Sequence, residues 1–228
     1  MTPMPGGEKA VKEPARMAVS YLYQAYGDGF LDLGLGVVER MGREKASMLA
    51  EMMRKNVNSP LTSSCGRLFE GVSALLSIRD VNAYEGQAAI ELEARAALAE
   101  ASNHYSWLVE RSDAGIYSIR PEPVITGIVD DIRKGVSTSD IGARFHETIM
   151  ACWEGLCLAI REETGLDRVV LSGGVFQNVL LAEGLPRRLE RHGFDVYQHE
   201  NVPANDACIS LGQAVVVNAM AEEGLIGK

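Results

Sequence analysis

The chain is short of cysteine, histidine and basic charge, and each shortage removes a class of function. Four cysteines occur in 228 residues. They are Cys65, Cys152, Cys157 and Cys208; none forms a CxxC pair, and the spacing of Cys152 and Cys157 does not place them on one helix face. This gives neither zinc-ribbon ligands nor a dense disulfide framework, so reduced thiols are expected. The histidines, His104, His146, His192 and His199, make no HxxxH or HExxH pattern, so no metal site is complete within the chain. No Ser-His-Asp or Cys-His arrangement has a local signature either. Lys and Arg total 22 against 31 Asp and Glu, a net charge of -9, with no basic stripe. That balance argues against a general nucleic-acid binder. No apolar run is long enough to span a bilayer, and the opening MTPMPGGEKAVKEP has no apolar signal core. A cytoplasmic protein touching neither nucleic acid nor membrane is expected.

With 46% hydrophobic residues, the chain can bury a real core. Its first part reads as helix. Pro14 to Tyr26 opens with proline at a permitted early position and carries Met17, Tyr21 and Leu22 at helical spacing, with Gly27-Asp28-Gly29 as its end. Further helix is expected over 31–41 and 43–55, then after a Thr/Ser cap in TSSCGRLFEGVSALLSI, and from Tyr84 to about Ser102. Beyond residue 103 the period changes. HYSWLVER and GIYSIRP alternate around Ser112-Asp113-Ala114-Gly115, a hairpin pattern. A helix over 138–164, opened near Ser139 and closed by Gly165, is followed by strand 168–172, helix 175–192, strand 194–198 and a last helix over 208–222. A strand–helix–strand unit implies parallel strands joined by a right-handed crossover. The expected fold class is therefore α/β and helix-rich, with a helical portion over 1–103 and an α/β lobe over 104–228. There is no internal repeat or low-complexity segment.

Three stretches bear on chemistry. In LSGGVFQNVLLAE, Gly173 and Gly174 stand between an apolar run and a helical pattern. Paired glycines there serve a tight turn or let backbone N–H groups approach a phosphate at the strand's C-terminal edge, where open α/β sheets bind ligands. The stretch is neither a P-loop nor a GxGxxG fingerprint. In NVPANDACISLG, a proline-stiffened loop presents Asn205 and Asp206 ahead of a helix; Asp206 reads as an N-cap or as a hard oxygen ligand for a metal. In SSCGRLFEGV, Gly66 and Glu70 would set a carboxylate one turn into a helix, either solvated or within reach of sugar hydroxyls. His146, within ARFHETI, reads as a packed mid-helix residue, and His192, before Gly193, as a helix C-terminal one. No catalytic residue emerges.

PGGEKAVKEPARMA, NSPLTSSCGRLFEGVSALL, YEGQAAIELEA, ARFHETI, VVLSGGVFQNVLL and VPANDACISLGQA follow one another in an order and at spacings that resemble the C-terminal part of the HypF-type carbamoyltransferases. The resemblance runs over about residues 4–220. It implies the second half of a domain of the actin-like, sugar-kinase-like superfamily, related to the threonylcarbamoyl transferases. It also implies a chemistry: ATP and carbamoyl phosphate give carbamoyl-adenylate, and the carbamoyl group passes to the C-terminal cysteine of a HypE-type maturation protein, where it becomes the cyanide ligand of [NiFe]-hydrogenase. By the same resemblance, Gly173 and Gly174 would approach the nucleotide phosphate, and Asn178 would help hold the base. Gly66 and Glu70 would lie near the ribose, with Glu70 where an aspartate is expected. Asp206, with Asn205 beside it, would ligate a divalent metal, zinc or iron. The family's acylphosphatase module, zinc-finger-like cysteine repeats, adenylate-forming module and metal-binding histidines have no counterpart in this sequence. The expectation is a fragment or split subunit, inactive by itself, with the missing first half of the domain as a partner. The alternatives are a non-catalytic nucleotide- or partner-binding module of the same fold and a small-molecule O-carbamoyltransferase.

Overall fold

The computed structural model describes residues 1–100 and 103–225. The chain divides into two compact units, Met1–Leu156 and Cys157–Lys228.

The first unit opens with β1 (Thr2–Pro3), α1 (Glu8–Lys12) and α2 (Pro14–Tyr26). A 3-10 segment, Gly27–Asp32, leads to α3 (Gly36–Met41), α4 (Arg43–Arg54) and β2 (Leu61–Thr62), which pairs antiparallel with β1. Next come α5 (Cys65–Leu75), α6 (Gln87–Ala96), the hairpin β3 (Leu108–Arg111) and β4 (Tyr117–Arg120), α7 (Glu122–Arg133) and α8 (Thr138–Thr164), whose last residues pass into the second unit. Met17 and Leu22 of α2 are fully buried, as are Phe69 of α5, Leu92 of α6, Ile125 and Ile128 of α7 and Phe145 of α8. The Phe69 and Phe145 rings meet edge-on at 4.8 Å, and the His146 ring stands 5.1 Å from Phe69. Such aromatic contacts add to the stabilisation that area burial supplies.

The local signals explain these elements. α2 begins at Pro14, whose missing N–H costs nothing at the first helical position. Ser64 caps α5, its Oγ accepting from Arg67 N at 3.4 Å. Gly115, at φ +76, turns the hairpin, and Leu108 pairs with Arg120. α8 closes at Gly165, φ +71, whose N donates to Arg161 O at 2.8 Å. Its opening residue is Ser137 rather than Ser139: Ser137 Oγ accepts from Asp140 N at 3.1 Å and donates to the Asp140 carboxylate at 2.6 Å.

Several expectations need amending. α6 ends at Ala96; the expected end at Ser102 lies outside the described residues, as do residues 226–228 of the expected lobe. α1 and α7 are additional to the elements that periodicity predicts. Pro121 and Pro123 occupy the N-cap and second helical positions of α7, where proline is tolerated. The boundary between the two compact units falls at 156/157, within α8. The hairpin is tied to the helices of the first unit: Tyr105 N donates to Thr148 Oγ1 at 2.9 Å, and Tyr105 OH donates to Asp131 Oδ2 at 2.8 Å. Asp131 is also paired with Arg144.

The second unit contains β5 (Arg168–Leu171), α9 (Val179–Arg191), β6 (Asp195–Gln198) and α10 (Ile209–Glu222). β5 and β6 are parallel, with Leu171 opposite Gln198, as the strand–helix–strand pattern predicts. α9 covers them with Leu181, Leu185 and Leu189 buried. The helix expected over 175–192 is broken at its start: Gly174–Gln177 forms a 3-10 turn, and Asn178 then caps α9. α10 buries no residue. No helix among the described residues is long and apolar enough to cross a membrane.

Candidate functional site

In the second unit, the structure brings the glycine turn and the Asn-Asp loop together at the C-terminal edge of β5 and β6. Gly173 N donates to Ala204 O at 2.8 Å, which ties the two loops. Gly173 has φ +104 and ψ 155, a backbone region nearly closed to other residues. Gly174 does not have a positive φ, and a methyl group added to it would meet only Asn205 Cβ, at 3.8 Å. The two glycines therefore answer different demands. Gly173 serves the turn. At Gly174 neither backbone nor packing requires glycine, and the open space beside it is what a close-approaching ligand would use.

Asn205, not Asp206, is the cap at this loop. Its backbone is extended, and its Oδ1 accepts from Ala207 N at 3.1 Å, which starts the 3-10 turn Asp206–Cys208. Asp206, the first residue inside that turn, is exposed, and its carboxylate has no partner among the described residues. No group of three or more His, Cys, Asp or Glu side chains suited to a metal occurs among the described residues. One exposed carboxylate does not fit a resident zinc or iron by itself. Asn178 is buried and spends its Oδ1 on Leu181 N at 3.2 Å as the cap of α9.

Gly66 and Glu70 belong to the first unit. Gly66 is the second residue of α5, and a methyl group there would meet only Ser64 Oγ at 3.6 Å, so this helix start is also open. Glu70 is buried, with Asn82 Nδ2 donating to Oε1 at 3.1 Å and Arg67 Nη1 standing 2.5 Å from Oε2. Burial raises its carboxyl above the usual range, against the opposing pull of Arg67 and Asn82. Cys65 lies beside Gly66 and lines a largely apolar cavity of about 280 Å³ together with Tyr21, Trp107, Tyr117, Cys152 and Trp153. Burial pushes the Cys65 thiol up to about 12 and Cys152 up to about 11, so both stay protonated near neutrality.

Two residues of the second unit escaped the sequence reading. Ser172 Oγ and His199 Nε2 are 2.9 Å apart, just past the paired ends of β5 and β6. They are 27 residues apart in the chain, so no local pattern could show them. Extending the parallel register one residue beyond Leu171 and Gln198 sets them opposite each other. Two other histidines are structural: His192 is the C-cap residue of α9, and His146 is buried with Nδ1 2.8 Å from Gly142 O.

The fold class these features define is a helix-rich α/β protein with a glycine turn at the C-terminal edge of its parallel strands. Within that class, the chain belongs to the family described as carbamoyltransferase, Kae1-like domain, second subdomain, whose model matches residues 1–213. Carbamoyltransferase HypF2 of Cupriavidus necator is 33% identical, over 94% of this chain and 28% of that protein. Carbamoyltransferase HypF of Rhizobium leguminosarum bv. viciae is 36% identical, over 92% of this chain and 26% of that one. Among solved structures, full-length HypF in its phosphate- and nucleotide-bound form superposes with a TM-score of 0.88 at 37% identity, covering 97% of this chain and 34% of that chain. The chain thus spans about a quarter of the length of these curated relatives.

Proposed function

We propose that this chain is the nucleotide-site portion of a carbamoyltransferase that moves the carbamoyl group of carbamoyl-adenylate, made from ATP and carbamoyl phosphate, to a cysteine thiol. The C-terminal cysteine of a HypE-type hydrogenase maturation protein is the acceptor this reading favours, with cyanide-ligand synthesis in the cytoplasm as its purpose. The observation that carries the reading is the open backbone at Gly174, at the C-terminal edge of a parallel strand pair, in a chain of this family. A relative of similar fold binds phosphate and nucleotide. Gly173 shapes the turn and Gly174 admits the phosphate, while Asn178 and Asn205 hold the two loops in place around the base and phosphate. In the first unit, Gly66 leaves a helix start open to a ligand. Glu70 acts there by orienting Arg67 and Asn82, because its own oxygens are engaged with them. Asp206 offers one carboxylate to a metal whose other ligands come from elsewhere in the complete protein.

The remaining half of the domain, in the same polypeptide or another, is the proposed partner. Parallel sheets are normally covered on both faces, yet Val170 of β5 is 70% exposed and Tyr197 of β6 52%. Ile209, Leu211, Val215, Val216 and Val217 of α10 are exposed as well. That much apolar surface suits burial against further chain. The test supplies ATP, carbamoyl phosphate and a peptide ending in the acceptor cysteine, with and without the complementary half, and reads the mass of the peptide. One added carbamoyl group is expected only with the complement present. Nucleotide binding without any transfer in the complemented protein would leave a binding module of the same fold.

A further inference from the structure

We infer that His199 is the proton acceptor of the transfer step and that Ser172 is the residue that positions it. The inference rests on the carbamoyl transfer proposed above. Ser172 directly precedes Gly173 and Gly174, and consecutive Cα atoms are about 3.8 Å apart. The Ser172 and Gly174 Cα atoms are therefore at most about 7.6 Å apart, which puts a phosphate held at Gly174 on the same edge as the Ser172–His199 pair, and the carbamoyl carbon is one bridging oxygen from that phosphate. The loop after β6 carries His199 to the same edge, and the Gly173–Ala204 hydrogen bond closes the two loops on each other. His199 is half-buried, and Ser172 is exposed. Among the described residues, Nδ1 of His199 has no hydrogen-bond partner. The parallel pairing of β5 and β6 thus brings together, at the ligand edge of the sheet, two polar side chains 27 residues apart.

The chemistry needs such a group. A thiol is a poor nucleophile until it loses its proton, and imidazole is the side chain best suited to take one near neutrality. With Nε2–H donating to Ser172 Oγ, Nδ1 keeps its lone pair for the acceptor thiol. The thiol proton passes to Nδ1, the sulfur forms a bond to the carbamoyl carbon, and the carbon–oxygen bond to the adenylate phosphate breaks. AMP leaves with that electron pair as a phosphate anion and needs no proton from an acid. The imidazolium returns its proton to water.

The experiment uses the complete enzyme with ATP, carbamoyl phosphate and the peptide ending in cysteine. His199→Ala should lower kcat by on the order of 10²–10⁴-fold, the span of general-base contributions. KM for ATP, nucleotide binding and the melting temperature should stay near wild type. Added imidazole should restore at least about 10-fold of that loss, a response a purely structural residue does not give. Ser172→Ala should lose less, about 10-fold, because the ring is misplaced and not removed. Should His199→Ala unfold, His199→Gln keeps the size and exposure of the side chain and takes its place in the comparison. Wild-type kcat in either His199 variant, or a loss that imidazole does not relieve, overturns the base. A carbamoyl adduct on Ser172 overturns it too, because the hydroxyl would then be the nucleophile. If the wild-type enzyme transfers no carbamoyl group, the proposed function falls with it; if it transfers and the variants do also, the base alone falls.

Discussion

Gly173 and Gly174 are adjacent and identical, yet they stand in different environments. Gly173 sits at φ +104, where a Cβ is strained whatever the space around it. Gly174 meets nothing closer than 3.8 Å on gaining a methyl group. Gly173→Ala should therefore cost about 1–3 kcal/mol of stability. Gly174→Ala should leave stability unchanged or raise it by up to about 1 kcal/mol, since the unfolded chain loses freedom. Nucleotide affinity should behave in the opposite way at Gly174, falling at least about tenfold because the methyl fills the approach. Urea unfolding and equilibrium binding of an adenine nucleotide, run on both variants of the complete protein, check this. Normal binding by Gly174→Ala would return both glycines to the turn. The same scale separates Asn205 from Asp206: the first is already employed as a cap, while the second remains an exposed carboxylate at the site edge.

At the level of elements, α7 is the instructive case. Its apolar residues Val124, Ile125, Ile128 and Val129 recur at helical spacing, but two prolines at its start obscured the pattern. Once formed, α7 receives the Tyr105 ring against Gly127, where an added methyl group would lie 2.5 Å from Tyr105 Cδ1. The ring cannot retreat freely, because its hydroxyl is held by Asp131. Gly127→Ala should therefore overpack this contact and cost about 1–3 kcal/mol, seen as a lower urea midpoint with an unchanged slope. The penalty should shrink when Tyr105 is shortened to Leu in the same molecule, since adjacent sites couple. Equal penalties in both backgrounds would mean that Tyr105 is not the obstacle. This contact also explains why the hairpin belongs with the helices before and after it rather than with the later strands.

For the whole molecule, the buried aromatic cluster makes stability sensitive to acid. Burial lowers the His146 pKa from 6.5 to about 4, partly offset by its bond to the Gly142 carbonyl. The folded protein holds the ring neutral, while the unfolded chain protonates it with an ordinary pKa. Between pH 6.5 and 4 the unfolded state therefore binds more protons, and stability falls as pH is lowered through that window. The contribution is fully present above pH 6.5, and its loss by pH 4 amounts to at most about 3 kcal/mol. Unfolding free energies measured across this range should slope accordingly, and His146→Leu should flatten the slope. An unchanged slope in that variant would move the acid sensitivity to other groups.

Most of the elements, and the parallel order of β5 and β6, were legible because period, caps and glycine stops are local properties. α2 over Pro14–Tyr26 and α8 over Thr138–Thr164 lie where apolar spacing sets them, and Gly165 ends α8 because its positive φ closes a helix. The candidate stretches were legible too, as short strings around Gly66, Gly173 and Asp206. What each residue does there was not, because it depends on neighbours brought from far along the chain. Glu70 is claimed by Arg67 and Asn82, Asn205 takes the cap expected of Asp206, and Ser172 finds His199 across a parallel pair. Local sequence thus determined where the backbone turns and which face it buries. Only the tertiary structure decided which polar groups meet, because hydrogen bonds form between atoms within about 3 Å, whatever their separation in the sequence.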